Sequence, residues 1–172
     1  MAPRIKSMPD SELSGVSVRL LQEGDLAAVL DLERTTPGAP HWSAKDYQQC
    51  LGGMQGTLVR RAWVAERTGS VVGFAVVREM ALDGALDGAL ECELESIVVH
   101  PEEQGCGVGG TLLRTIIDSL KSSGATVLML EVRASNQAAL HLYERAGMVR
   151  VGARPGYYSG PPEDAVLLQM EF

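Results

Sequence analysis

Apolar positions along the chain change period several times, and each change marks an element. Val16 to Leu21 (VSVRLL) alternates apolar and polar and predicts a first strand. From Asp25 onward, Leu26, Val29, Leu30 and Glu33 recur at helical spacing through DLAAVLDLERT; Asp25 is placed to cap that helix, and TPGAP breaks it. Ser43 is a good N-cap for a second helix, SAKDYQQCL, stopped by Gly52-Gly53. TLVRRAWVAER and SVVGFAVVREM read as strands joined at Thr68-Gly69, a tight hairpin signal. The segment ALDGALDGAL repeats an Asp-Gly turn signal and reads as a loop or hairpin extension, since it lacks the further acids of a calcium loop.

ECELESIVV is a strand that changes character midway. Glu91, Glu93 and Glu95 share one face by period two, and Ile97-Val98-Val99 is apolar on both. A glycine-rich loop follows, then a helix through TLLRTIIDSLKSS ending at Gly124. The strand TVLMLEV and the helix NQAALHLYERA come next, and two last strands, MVRVGARPGYY and DAVLLQMEF, flank Ser159-Gly160-Pro161-Pro162. The order is strand, two helices, three strands, helix, strand, helix, two strands. It predicts a mixed sheet with helices on its faces.

A chain of 172 residues suits one domain, expected over 16–172, with residues 1–15 read as a mobile arm outside it. Hydrophobic residues at 45% and charged residues at 22% are ordinary for a soluble globular protein. The net charge of −7 argues against a nucleic-acid partner, which needs a basic face, and allows a cationic peptide. Cys50, Cys92 and Cys106 form an odd set with no C-x-x-C pair, which fits a reducing compartment better than a disulfide framework or a zinc site. His41, His100 and His141 lack metal-ligand spacing and take surface or structural roles, so no metal is expected. No apolar run approaches the ~20 residues of a membrane span, and the first residues lack an apolar signal segment. The expected location is cytoplasmic.

Candidate chemistry begins at HPEEQGCGVGGTLL, after an apolar strand and before a helix. Glycines there let backbone approach a ligand, and the helix N-terminus offers unpaired N–H groups and a positive dipole end, so a diphosphate is the natural guest. A plain tight turn is the bland alternative. Gly105, Gly107, Gly109 and Gly110 crowd into six positions, each at an entropic cost and without packing anything, which favours the ligand. It is no Walker loop, because Thr111 stands where the lysine belongs. Gly105-x-Gly107-x-x-Gly110 does match the dinucleotide fingerprint, with Glu131 placed where a ribose-binding acid would sit. Against a dinucleotide module, three antiparallel strands precede the motif and too little chain follows for a second half.

Gln104-x-x-Gly107-x-Gly109 after SIVV resembles the Q/R-x-x-G-x-G/A signature of the GNAT superfamily of acetyl-CoA-dependent N-acetyltransferases. That resemblance implies an α/β (α+β) single-domain GNAT fold: a mostly antiparallel mixed sheet of about seven strands, about four helices, and a central parallel pair that splays apart. It implies acetyl-CoA as acetyl donor. The pyrophosphate would rest on Gly105, Cys106, Gly107, Val108, Gly109 and Gly110 beside Gln104, and the pantetheine arm on backbone at Ile97, Val98 and Val99. Relatives carry basic residues between the glutamine and the glycine, where this chain has Gly105 and Cys106. Binding would lean on backbone donors, without charge-assisted pairs worth about 1–3 kcal/mol each. Cys106 is read as a small filler.

The run LEVRASNQAALHLYERAGM (Leu130 to Met148), with the later Tyr157-Tyr158 pair and Glu163-Asp164-Ala165, resembles the ribosomal-protein-alanine N-acetyltransferases within that superfamily. The resemblance is strong from Glu95 onward and thins upstream to His41-Trp42-Ser43. Met148 stands where relatives have phenylalanine, and ARPGYY is less basic than their stretch, which bears on peptide preference more than on chemistry. The implied acceptor is a protein or peptide N-terminus, a small-subunit ribosomal protein among them, and the implied state a monomer or weak dimer. The same fold acting on small amines or lysine side chains is the alternative.

Glu131 closes an apolar strand and is a candidate general base; an arginine-paired glutamate, with Arg133 nearby, is the competing reading. Ser135 or Asn136 caps the following helix, and Asn136 by resemblance also touches the cofactor arm. Tyr143 shares a helical face with Asn136 and Gly147. In a helix stripe a tyrosine is more often core than catalyst; by resemblance it is the general acid at the thioester sulfur. Glu95 is the second candidate base and a receiver of cationic substrate, or else part of a solvated acidic strand edge. Tyr157 and Tyr158 by resemblance line the peptide groove. An α-amine of pKa about 7.8 is about one-seventh neutral at pH 7, whereas a lysine is about 0.04% neutral, so a modest base suits an N-terminus better. This scheme requires Glu131 and Tyr143 to face one gap in the sheet beside Gly107.

Overall fold

The computed structural model describes residues 15–51, 58–81 and 90–172. Seven strands form one sheet in the order β1-β2-β3-β4-β5-β7-β6: β1 (Val16–Leu20), β2 (Leu58–Arg67), β3 (Ser70–Ala81), β4 (Leu90–Val99), β5 (Ala125–Arg133), β6 (Val149–Ser159) and β7 (Pro162–Glu171). Among the described residues four α-helices accompany it: α1 (Leu26–Thr35), α2 (Ala44–Gln49), α3 (Val108–Ser122) and α4 (Gln137–Arg145). The element order is the one the periodicity predicts. Neighbouring strands run antiparallel except β4 and β5, which are parallel and joined through α3, because a parallel pair needs a crossover.

Two apolar layers sandwich the sheet. On one face α3 lays Val108, Leu112, Ile116 and Leu120, a stripe at i, i+4 spacing, against Trp63, Ala75, Val77, Leu128 and Leu130, and α4 adds Leu140 and Tyr143. On the other face α1 and α2 bury Val29, Leu32 and Tyr47 against Val64, Phe74, Val76 and Val98. Thr68 and Gly69 both take positive φ (49° and 81°), the two-residue hairpin geometry that matches strand twist. Ser43 caps α2 in a reciprocal box with Asp46.

Several expectations need correction. Asp25 does not cap α1. Its carboxylate is committed to the Gln22 N–H at 2.8 Å and to Arg19 at 2.6 and 2.8 Å, so it pins the entry turn to β1 instead. α3 begins at Val108, three residues before the expected Thr111, so Gly109 and Gly110 belong to its first turn. The idea that these glycines pack nothing also fails at Gly109, where a Cβ would press Leu142 Cδ2 at 3.3 Å. The expected arm (but for Gly15), the Gly52-Gly53 stop, Thr57 and the Asp-Gly duplication from 82 to 89 lie outside the described residues.

Candidate active site

The sheet opens at its centre. β4 and β5 pair from Leu90–Ala125 to Glu93–Met129, and there the pairing ends, while β3–β4 continues to Gly73–Val99 and β5–β7 to Arg133–Ala165. The cause is local: Val76 pairs with Ser96 and Val77 with Leu94, leaving Glu95 as the extra residue of a bulge that bends β4 away. The bulge also switches the faces. Cys92 and Leu94 point into the α3 layer before it, Ile97 and Val99 after it. From Glu95 to Val99 the edge of β4 toward β5 thus carries backbone groups with no ladder partner on that side.

The glycine loop sits at the end of that edge. His100 accepts the Glu102 N–H in a short turn over Pro101–Glu103, and Glu103 pairs with Arg67 of β2. Gln104 donates its side-chain amide to Val99 O at 3.1 Å, so it ties loop to strand. Gly105 and Gly107 adopt φ of 77° and 84°, which other residues resist, and a Cβ at either would meet open space. Gly107 is the N-cap of α3, so the N–H groups of Val108, Gly109 and Gly110 have no carbonyl four residues back inside the helix. Thr111 is not among those donors, since its N–H returns to Gly107 O at 3.0 Å. Cys106 is exposed. These features fit a phosphate group: free donors, a positive dipole end and close backbone access.

Glu131 lies two residues beyond the last β4–β5 pair. Its neighbours Leu130 and Val132 enter the α3/α4 layer together with Tyr143, so Glu131 points from the opposite face of β5. Glu131 and Tyr143 therefore do not stand side by side. Tyr158 bridges them electrostatically, interacting with both. Glu131 lies where β5 leaves β4, whereas Tyr143 is packed in the core layer of the other face, a departure from the expectation that both face one gap. The arginine on Glu131 is Arg154, at 3.1 Å, and not Arg133. Arg133 instead stacks on Tyr158, 4.1 Å from its centroid, and pairs with Glu163. Tyr157 hydrogen-bonds to Glu131, and this bond is the first cause of its raised pKa. Tyr143 is buried, and burial pushes its phenol well above the ordinary tyrosine range, so it is protonated at neutral pH. Asn136 is the cap of α4, accepting the Ala139 N–H at 3.1 Å.

Glu95 is not a solvated edge. Its side chain is 12% exposed and is gripped by Arg60 through two bonds of 2.6 and 2.9 Å, with Arg78 Nε at 3.8 Å. Arg78 also pairs with Glu93. Arg60 lies over Trp42, 5.5 Å from its centroid, and Trp42 and Tyr47 both bond to the buried Glu33 of α1. Sequence reasoning passed over Arg60, Arg78 and Arg154. A signal was present: arginines on the strands next to a row of glutamates.

A chain with one parallel pair, opened at its centre beside a glycine-capped helix, is a GNAT acetyltransferase in architecture. The acetyltransferase (GNAT) family model matches residues 26–148, and the chain belongs to that family; it is an acyltransferase. It is 32% identical over 156 residues to the ribosomal protein bS18-alanine N-acetyltransferase of Escherichia coli K12, spanning 90% of this chain and 96% of that protein. The crystal structure of the ribosomal-protein-S18-alanine N-acetyltransferase from Escherichia coli has a TM-score of 0.72 at 30% identity, covering 91% of this chain and 93% of that one. Arabidopsis thaliana NAA60 in complex with acetyl-CoA has a TM-score of 0.77 at 17% identity, covering 91% and 98%, a likeness of fold alone. A dinucleotide module, with its doubly wound parallel sheet, is not this fold. Among the described residues no helix is long and apolar enough to cross a membrane.

Proposed function

We propose that the chain transfers acetyl from acetyl-CoA to the α-amine of a protein N-terminus, of the ribosomal-protein-alanine type. The observation that carries this is the opening between β4 and β5 beside the glycine-capped start of α3. The likeness to ribosomal protein bS18-alanine N-acetyltransferases supports the choice of acceptor.

Bound acetyl-CoA supplies the activated thioester carbonyl. Gly105, Val108, Gly109 and Gly110 offer backbone N–H groups and the α3 dipole to its diphosphate, while the Cys106 N–H, expected to join them, is donated to Glu103 O at 3.3 Å; the free edge of β4 at Ile97, Val98 and Val99 offers amide partners to its arm. Glu131 takes the proton that the acceptor nitrogen must shed. N–H groups on the β4 edge hold negative charge that develops on the carbonyl oxygen. Tyr143, kept as a neutral phenol by burial, gives its proton to the departing sulfur. Glu95 has its carboxylate committed to Arg60 and shapes the acceptor side rather than acting as base. Tyr158, with Arg133 stacked on its ring, lines the acceptor path.

Mass spectrometry on a peptide panel tests the reading. Alanine-initiated peptides with a free N-terminus are expected to be acetylated on that nitrogen. Modification of lysine in N-blocked peptides, with none on free N-termini, ends this proposal in favour of a lysine or small-amine acetyltransferase.

A further inference from the structure

Arg154 reaches a residue two strands away. β6 is the edge strand and β7 separates it from β5, yet Arg154 Nε lies 3.1 Å from Glu131 Oε1. An irregular register makes this contact. Arg154 pairs with Ala165 and Tyr158 with Glu163, so Pro155, Gly156 and Tyr157 bulge opposite Asp164 alone. Gly156 takes φ of 61° and donates its N–H to the Asp164 carboxylate at 2.8 Å, which pins the bulge. Leu167, the β7 partner of Glu131, has Gly152 as its β6 neighbour, and the space over Gly152 is open. The guanidinium also lies over Tyr157, 5.5 Å from the ring centroid, and Tyr157 itself bonds to Glu131.

The two partners differ in exposure. The Arg154 side chain is 56% exposed and that of Glu131 is 19% exposed, so a solvent-facing cation covers a mostly enclosed carboxylate. Among the described residues Arg154, Tyr157 and Tyr158 of β6 interact with Glu131; Arg133 and Glu163 act on Tyr158, Glu93 (itself held by Arg78) acts on Tyr157, and Tyr143 is influenced by Tyr158. Arg154 is the one among them that pairs with the Glu131 carboxylate as a cation from the exposed side.

We propose that Arg154 is a positioning and specificity residue that occupies the acceptor-amine seat on Glu131 and yields it to an arriving α-ammonium. This rests on the reading of Glu131 as the base. Both cations are hydrogen-bond donors to carboxylates, so they compete for the same oxygens. One proton moves from the ammonium to Glu131, leaving the neutral amine that attacks the thioester carbonyl; the second, shed as the C–N bond forms and the C–S bond breaks, balances the proton that Tyr143 gives to sulfur. The displaced guanidinium keeps the Tyr157 ring as a partner, so it has a place to go.

Steady-state kinetics with an alanine-initiated peptide at saturating acetyl-CoA test this. Arg154→Ala is expected to lower the peptide KM about two- to fivefold, the worth of one exposed ion pair, with the acetyl-CoA KM unchanged. Arg154→Lys keeps the wild-type peptide KM. Arg150→Ala removes the same charge from the same strand, where Arg150 pairs with Glu144 at 2.7 Å, and leaves the peptide KM unchanged. An Arg154→Ala peptide KM that is unmoved or raised overturns the proposal, as does an equal fall in Arg150→Ala. Glu131→Gln separates the two levels. An inactive Glu131→Gln beside an unmoved Arg154→Ala KM rejects the Arg154 proposal alone, whereas a fully active Glu131→Gln rejects the base assignment and the proposal with it.

Discussion

Adding one methyl group at Gly73 tests whether the close approach of β3, β4 and α3 holds the candidate site in shape. A Cβ at Gly73 would lie 2.9 Å from Val98 O and 3.2 Å from both Leu112 Cδ1 and Val108 Cγ1. The Leu112 terminus can turn aside. The Val98 carbonyl cannot, because β4 is laddered to β3 here, with Gly73 opposite Val99. The layers must part by a few tenths of an ångström, and overpacking of this kind costs about 1–3 kcal/mol. In a chain of this size each kcal/mol lowers Tm by about 2–4 °C, so Gly73→Ala should melt about 2–12 °C early. The strain falls on Val98 and Val108, the two elements proposed to hold acetyl-CoA, so the rise in Tm on adding acetyl-CoA should shrink as well. Thermal melts with and without acetyl-CoA read both effects. Gly110→Ala is the contrast: its Cβ would meet Leu142 Cδ1 at 3.9 Å, an ordinary contact, and helix propensity contributes up to about 1 kcal/mol in its favour. A Gly73→Ala protein that melts with wild type and keeps the full acetyl-CoA shift would refute the reasoning.

Two further outcomes are expected. Tyr143→Phe should lower kcat about a hundredfold or more while leaving acetyl-CoA affinity unchanged, because only the buried hydroxyl is lost; unchanged turnover in a stopped thiol-release assay removes the acid role. Asp25→Asn should lose stability in a pH-dependent way. The Arg19 bond, first, and then the Gln22 N–H hold the Asp25 carboxyl below its ordinary 3.8. A depressed carboxylate stabilises the fold above its unfolded pKa, and that contribution disappears as pH falls through the folded value. The Tm gap between wild type and Asp25→Asn should be full at about pH 6 and narrow as pH falls below the ordinary 3.8; a constant gap would refute the linkage.

Much of the fold was legible because it rests on local rules. Periodicity placed the strands and helices, Thr68-Gly69 marked a turn that needs two positive φ values, and Ser43 needed only Asp46 three residues on. The misplaced features depend on register, which no local rule supplies. Asp25 had a local role available, but β1 brings Arg19 within 2.6 Å and claims it. Gly109 looked spare because Leu142, its neighbour, comes from a helix more than thirty residues later in the chain. The change of character midway along ECELESIVV was visible, but not its cause, since only the pairing of Val76 with Ser96 and Val77 with Leu94 shows that Glu95 is the residue skipped.

Register also changes what the acidity of the chain means. A net charge of −7 allowed a cationic peptide as partner, and Glu95 was a candidate receiver of it. The sheet instead lines up Arg60, Arg78 and Glu93 as cross-strand neighbours, so Glu93 meets Arg78, Glu95 meets Arg60, and Glu131 meets Arg154. An arriving ammonium then gains only the difference between its own ion pair and the one it breaks, a margin of about 1 kcal/mol or less at an exposed pair. Attraction at a distance therefore contributes little at these carboxylates. On the exchange proposed for Arg154, selection comes at contact, where the shape of the amine and its fit beside Tyr157 and Tyr158 decide whether the arginine is displaced.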